Sequence, residues 1–86
     1  MNNITFSADG WNDYRYWQKK EHIKTLLKIA RLLEEIQRLG PMNGSGKPEP
    51  LRHRKGWSRR IDEENRLVYT IENGDVIVIA CRGHYE

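Results

Sequence analysis

One cysteine, three prolines and a single phenylalanine among 86 residues narrow the options before any motif is read. Cys81 has no partner for an internal disulfide and no second thiol at zinc-ligand spacing. The longest apolar run, Val76 to Cys81, is six residues, far short of the ~20 that a membrane-spanning helix needs. Met1-Asn2-Asn3 offers neither a basic start nor a long apolar stretch, so no signal peptide is expected. With the sparse cysteine, this points to a cytoplasmic protein with no membrane partner. A phosphate-cradling glycine motif is also missing: Gly44-Ser45-Gly46-Lys47 is a fragment of one, but it follows a helical stretch rather than a strand. Neither a metal nor another cofactor is expected.

What the chain does have is an uneven charge. Fifteen Lys and Arg against twelve Asp and Glu give a net charge of +3. From Lys47 to Arg60, six residues are basic (Lys47, Arg52, Arg54, Lys55, Arg59, Arg60) and only Glu49 is acidic, with His53 in addition. The rest of the chain carries a slight acidic excess. Positive potential concentrated in one segment is the footprint a polyanion uses.

The apolar pattern predicts one α+β domain over residues 1–86. Ile4-Thr5-Phe6 is β-prone, and Ser7 stands where a helix N-cap would, with Asp9 in the first turn. Trp11, Tyr14 and Trp17 then recur at helical spacing, predicting a first helix over 8–20 with these aromatics in the core and Tyr16 more exposed. Ile23, Leu26, Leu27, Ala30, Leu33, Ile36 and Leu39 predict a second helix over 21–39, ended by Gly40-Pro41. Residues 40–50 hold all three prolines and three of the seven glycines and read as a loop. Strands follow over 57–61, 66–71 and 76–82. Asn73-Gly74 marks a two-residue hairpin, and the unbroken apolar run 76–81 suggests a central strand covered on both faces. The order is β-α-α-β-β-β, two helices on a small, mostly antiparallel sheet.

Several side chains could carry chemistry. Pro48-Glu49-Pro50 puts a carboxylate between two residues of fixed φ, on a stiff strut in a stretch otherwise made flexible by glycine. Glu49 is either an exposed loop residue among turn prolines or a positioned general base. Arg59 and Arg60 point to opposite faces of their strand, so one of them must reach an edge or pair with an acid. Arg66 opens the next strand, either as a solvated or ion-paired cation or as a guanidinium that forks onto phosphate. His84-Tyr85 is either a frayed tail or an imidazole brought by its strand beside the arginines. Cys81, inside an apolar run, reads as a core residue. A carboxylate and an imidazole flanking cationic phosphate binders are the groups needed to cleave RNA without metal. A base takes the ribose 2′-OH proton, the oxygen attacks the adjacent phosphate, arginine stabilises the charge that develops, and an acid protonates the leaving 5′-oxygen.

At these residues the chain resembles a known family. Gly46-Lys47-Pro48-Glu49-Pro50-Leu51, Trp57-Ser58-Arg59-Arg60-Ile61, Arg66-Leu67-Val68-Tyr69 and His84-Tyr85 are similar to the YoeB/Txe toxins of the RelE superfamily. So is Trp11-x-Asp13-Tyr14-x-Tyr16-Trp17-Gln18. The resemblance runs over nearly the whole chain in order. It implies a RelE-like fold and a ribosome-dependent endoribonuclease that cuts mRNA in the A site and stops translation. It also implies inhibition by an acidic YefM/Phd-like antitoxin and allows a homodimer. Carried over, Glu49 matches the general base, His84 the general acid, Arg66 the transition-state stabiliser and Tyr85 the tyrosine that holds RNA. Arg60 and Arg52 match basic positions near the phosphate, and Lys47, His53 and Arg59 would contact RNA backbone. Three features depart from the family: the 53–57 stretch is about two residues short, Gly83 frees the tail where bulkier residues are frequent, and Glu86 extends past the usual terminal tyrosine. A ParE-like gyrase toxin shares the scaffold but has no need of Glu49, Arg66 and His84 together, whereas an inactive RNA- or ribosome-binding module would keep the basic strip alone.

Overall fold

Ser7 opens the first helix as its composition demands: its hydroxyl oxygen accepts from the Gly10 N–H at 3.0 Å, satisfying one of the donors a helix start leaves bare. The computed structural model describes residues 3–83. In chain order they form β1 (Ile4–Phe6), α1 (Ala8–Tyr16), a single 3-10 turn (Lys20–His22), α2 (Ile23–Leu39), β2 (Glu49–Pro50), β3 (Trp57–Arg60), β4 (Arg66–Glu72) and β5 (Asp75–Ala80). The strands make one sheet in the order β1-β5-β4-β3-β2, with β1 parallel to β5 and every other pairing antiparallel. This is the expected α+β arrangement with one further strand, β2, in what had read as loop.

The turns form where the sequence signals them. Asn73 and Gly74 both take positive φ (51° and 84°), as a type I′ hairpin requires, and Glu72 pairs with Asp75 across it. Gly40 ends α2 with φ 94°, its N–H still bonded to the Ile36 carbonyl at 2.9 Å. The first helix is shorter than expected. It stops at Tyr16, and the chain passes through the 3-10 turn before α2 begins at Ile23.

The core lies between α2 and one face of the sheet. Ile29, Leu32, Leu33 and Ile36 pack with Leu67, Tyr69, Val76, Val78 and Cys81, and Trp17 closes one end. The indole N–H of Trp17 donates to the Cys81 carbonyl at 2.8 Å, which anchors α1 to the end of β5. Each of these aliphatic side chains contributes roughly 1.5–3 kcal/mol by leaving water. The buried stripe of α2 overlaps only in part with the one the spacing favoured: Leu33 and Ile36 are buried and Leu26 packs against the core, but Ile23 and Leu27 are 52% and 62% exposed, and Ala30 and Leu39 also face outward. The helix is apolar on more than one side, and the sheet takes the side that carries Ile29. Trp11 is likewise exposed rather than core, with its ring stacked on Tyr14 and edge-on to Phe6. Tyr16 is half-buried, with the Arg82 guanidinium 3.6 Å from its ring centre. β5 alternates buried and half-buried residues, so its second face is only partly covered.

Candidate active site

Glu49 lies on the two-residue strand β2 at the edge of the sheet, where Pro50 has no N–H to give to a ladder and an edge position tolerates that. Its Cα partner on β3 is Ser58, whose own partner on β4 is Val68. Side chains directly opposite one another share a face, so Glu49, Ser58 and Val68 do, and two residues along each strand so do Arg60 and Arg66. Arg60 and Arg66 are themselves Cα partners. Across this face Arg66 Nη1 donates to Glu49 Oε1 at 3.3 Å, with the Glu49 side chain 60% exposed and that of Arg66 22%.

Two guanidinium groups on directly opposed residues repel, since like charges across a strand pair are destabilising. One carboxylate offsets only one of them. At its exposed positions, Glu49 and Arg60, the face therefore sets an acid beside two guanidinium groups, a setting for a phosphate, while Ser58 and Val68 between them are buried. An exposed ion pair such as Glu49–Arg66 contributes about 0–1 kcal/mol, so an incoming anion can separate it at little cost.

The other basic residues of the 47–55 stretch flank Glu49 along the chain. Lys47 is exposed two residues before Glu49, with φ 50°. Arg52 and His53 are exposed on the loop that leaves β2, closed by the Leu51 N–H bonded to the Gly56 carbonyl at 3.0 Å. The exposed Arg54 and Lys55 complete it, and a cavity of about 360 Å³ opens beside it between Leu51, Lys55, Trp57 and Ile71.

Arg59 departs from the expected backbone contact. Its side chain is fully buried, on the face opposite Arg60. Nε donates to the Tyr69 hydroxyl at 2.9 Å, Nη1 to the Ser45 carbonyl at 3.0 Å, and Nη2 to the carbonyls of Gly40 at 3.1 Å and of Asn43. Glu35 Oε1 stands 3.7 Å from Nη1. Of the two neighbouring arginines, this is the one that pairs with an acid. A cation so enclosed has no donor left for RNA.

His84 and Tyr85 lie outside the described residues. Gly83, immediately before them, is held at the site. Its N–H donates to Asn65 Oδ1 at 2.8 Å, and the Arg66 N–H donates to its carbonyl at 3.1 Å. Asn65 is a positioning element the sequence reading passed over. It closes the acidic turn through the Asp62 carboxylate, which accepts from the Asn65 and Glu64 amides at 2.8 Å each, and its own amide oxygen faces the chain end. Its place between an acidic run and Arg66 was the available signal.

Three further titratable groups, Cys81, Tyr69 and Glu35, are structural. Burial, reinforced by the Asp13 carboxylate, pushes the Cys81 thiol up to about 12, so it is no nucleophile at neutral pH. Burial also raises the Tyr69 phenol, against the opposing pull of Arg59. The Ser45 amide, donating to Glu35 Oε1 at 2.6 Å, holds the Glu35 carboxyl below its ordinary value, with Arg59 adding to the effect. Among the described residues no group of three or more His, Cys, Asp or Glu is placed to hold a metal ion, and no helix is long and apolar enough to cross a membrane.

The family model for YoeB-like toxins of bacterial type II toxin–antitoxin systems matches residues 6–85. The chain belongs to the YoeB-like toxin family. The YoeB toxin of Escherichia coli K12 is 43% identical over 84 residues, which cover 95% of this chain and 98% of that one. Two solved structures from Staphylococcus aureus share its fold. A heterotetrameric YoeB–YefM toxin–antitoxin complex superposes with a TM-score of 0.88 at 41% identity, covering 99% of both chains. A YoeB dimer superposes with a TM-score of 0.89 at 43% identity, covering 98% of both. As a YoeB-like toxin the chain has the RelE-like fold that its sequence suggested and is the toxin component of a type II toxin–antitoxin system.

Proposed function

We propose that this YoeB-like toxin is a ribosome-dependent endoribonuclease that cuts mRNA in the A site by acid–base chemistry. The observation that carries the reading is the Glu49 carboxylate 3.3 Å from the Arg66 guanidinium on an open face that also presents Arg60. Glu49, separated from Arg66 by the incoming phosphate, takes the proton from the ribose 2′-OH. The 2′-oxygen attacks the adjacent phosphorus, and Arg66 with Arg60 neutralises the charge on the equatorial oxygens. His84 gives its proton to the 5′-oxygen as the P–O5′ bond breaks. The upstream fragment ends in a 2′,3′-cyclic phosphate and the downstream one in a 5′-hydroxyl. Gly83, tied to Asn65 and Arg66, supports a place for His84 beside the reacting phosphate. Tyr85 would steady the RNA. Lys47, Arg52 and His53 would meet backbone phosphates of mRNA or rRNA, which supply affinity without reading sequence.

The ribosome's part is to hold the codon in line. Placing a 2′-oxygen and a phosphate in attack geometry is worth several kcal/mol, and an open face with one acid does little of that alone. The partner is an antitoxin of the YefM kind, as in the staphylococcal complex, with acidic groups to meet the basic 47–60 segment, and self-association is the second assembly its solved relatives support. Primer extension on a translated message tests the reading. A cut within the A-site codon is expected with ribosomes and not with free RNA, and it should vanish in Glu49→Ala. An uncut message together with inhibited gyrase would favour the ParE-like alternative, and an uncut message with ribosome binding would favour an inactive binding module.

A further inference from the structure

We propose that Arg59 is a positioning residue for Glu49: from inside the core its guanidinium fixes the 40–46 segment and so sets where the Pro48–Pro50 strut stands against Arg66. This deepens the acid–base reading above and rests on it. The segment is built almost without side chains that could pack. Its order comes from main-chain carbonyls, and Arg59 collects those of Gly40, Asn43 and Ser45. Tyr69 adds a further tie, accepting from Arg59 Nε and donating to the Pro41 carbonyl at 2.6 Å. Glu35 on α2 completes the cluster through the Ser45 amide.

Two glycines show how closely the segment is drawn in. A Cβ on Gly44 would collide with Glu35 Oε1 and with Arg59 Nη1, and one on Gly46 would lie 2.9 Å from the Arg60 carbonyl. Both take positive φ (111° and 87°). Their role here is close approach to the clamp rather than flexibility. The Gly46 carbonyl then accepts from the Arg60 N–H at 2.6 Å, so the clamp is tied to the strand that carries the phosphate-binding face.

From Gly46 the chain reaches Glu49 in three residues. Lys47 turns it with φ 50°, and Pro48 and Pro50 then fix their own φ. A displacement at Gly46 is therefore passed on to the carboxylate rather than absorbed. β2 itself is held by only two register pairs. Stability alone does not call for this arginine, because a buried ion pair can often be replaced by apolar side chains without loss. What an apolar side chain could not do is set the path of a segment whose groups are nearly all main-chain carbonyls.

The test uses the full chain with Arg59→Lys, which keeps the charge but not the fork, and Tyr69→Phe, which keeps the volume but not the bridge. Backbone amide exchange and single-turnover cleavage on translating ribosomes are both measured. Exchange over residues 43–49 should quicken by about tenfold or more while β4 and β5 stay protected. Cleavage at saturating ribosomes should slow by about tenfold to a hundredfold with KM unchanged. In a Glu49→Gln background, whose residual single-turnover cleavage can still be followed, neither variant should slow cleavage further, since a residue acting through the Glu49 carboxylate has nothing left to position. Unchanged exchange over 43–49, or losses that multiply with that of Glu49→Gln, would overturn the proposal. If Arg59→Lys does not fold, Tyr69→Phe decides. If the native chain cuts no message, the acid–base reading falls by itself and the exchange measurement alone decides whether Arg59 holds the strut.

Discussion

Glu49 and Arg66 meet at 3.3 Å across the intervening strand β3, seventeen positions apart in sequence. Sheet register brings them together: β2 aligns Glu49 with Ser58, and β3 aligns Arg60 with Arg66. The carboxylate is the more exposed of the two, so it is free to leave the guanidinium for a substrate hydroxyl.

Replacing Glu49 by Gln keeps the side chain's size and its hydrogen bond to Arg66 but removes the proton acceptor. Single-turnover cleavage on ribosomes should fall by about 10²- to 10⁴-fold. Thermal unfolding should be nearly unmoved, since an exposed pair of this kind is worth at most about 1 kcal/mol. A large drop in the unfolding midpoint would mark Glu49 as structural instead.

The exposed loop at 52–55 should supply affinity rather than rate. Ribosome binding is expected to weaken steeply with added salt, and replacing Arg52 and Lys55 by Gln should flatten that slope by roughly one to two contacts' worth, with the cleavage step unchanged. Equilibrium binding across a salt series measures it. A slope that both substitutions leave unaltered would remove the loop from the RNA interface.

Much of this was legible in the sequence, for local reasons. Asn73-Gly74, Gly40-Pro41 and Ser7 act through their own backbone preferences, and each forms the turn, stop or cap its chemistry favours. What failed depended on tertiary choice. Periodicity could not say which apolar side of α2 the sheet would take, so Ile23 and Leu27 read as core and are exposed. Arg59 and Arg60 were separable in direction but not in destination. Only the folded chain brings Glu35 and the 40–46 carbonyls to one of them. The strand at Glu49–Pro50 was hidden because prolines flanking a glycine-rich stretch read as loop, and its partner Ser58 lies nine positions away.

The clamp around Glu35 also makes a pH prediction. Its folded-state carboxyl lies below the ordinary value of 4.5, chiefly through the Ser45 amide. The group therefore contributes stability that is fully present above that value and is lost as pH falls through the lower folded one. Chemical unfolding between pH 6 and pH 3 should show a steeper acid decline in the native chain than in Glu35→Gln. Parallel curves would mean that the carboxylate charge contributes nothing to holding the segment.

The proposed chemistry has one indispensable atom, the 2′-oxygen of the nucleotide before the cut. The most direct measurement is cleavage of a translated message carrying a single 2′-deoxynucleotide at that position, compared with the all-ribose message. The ribose message should be cut to a 2′,3′-cyclic phosphate and a 5′-hydroxyl, and the substituted one should remain intact at that codon. Cleavage of the deoxy-substituted message at an unchanged rate would contradict the mechanism.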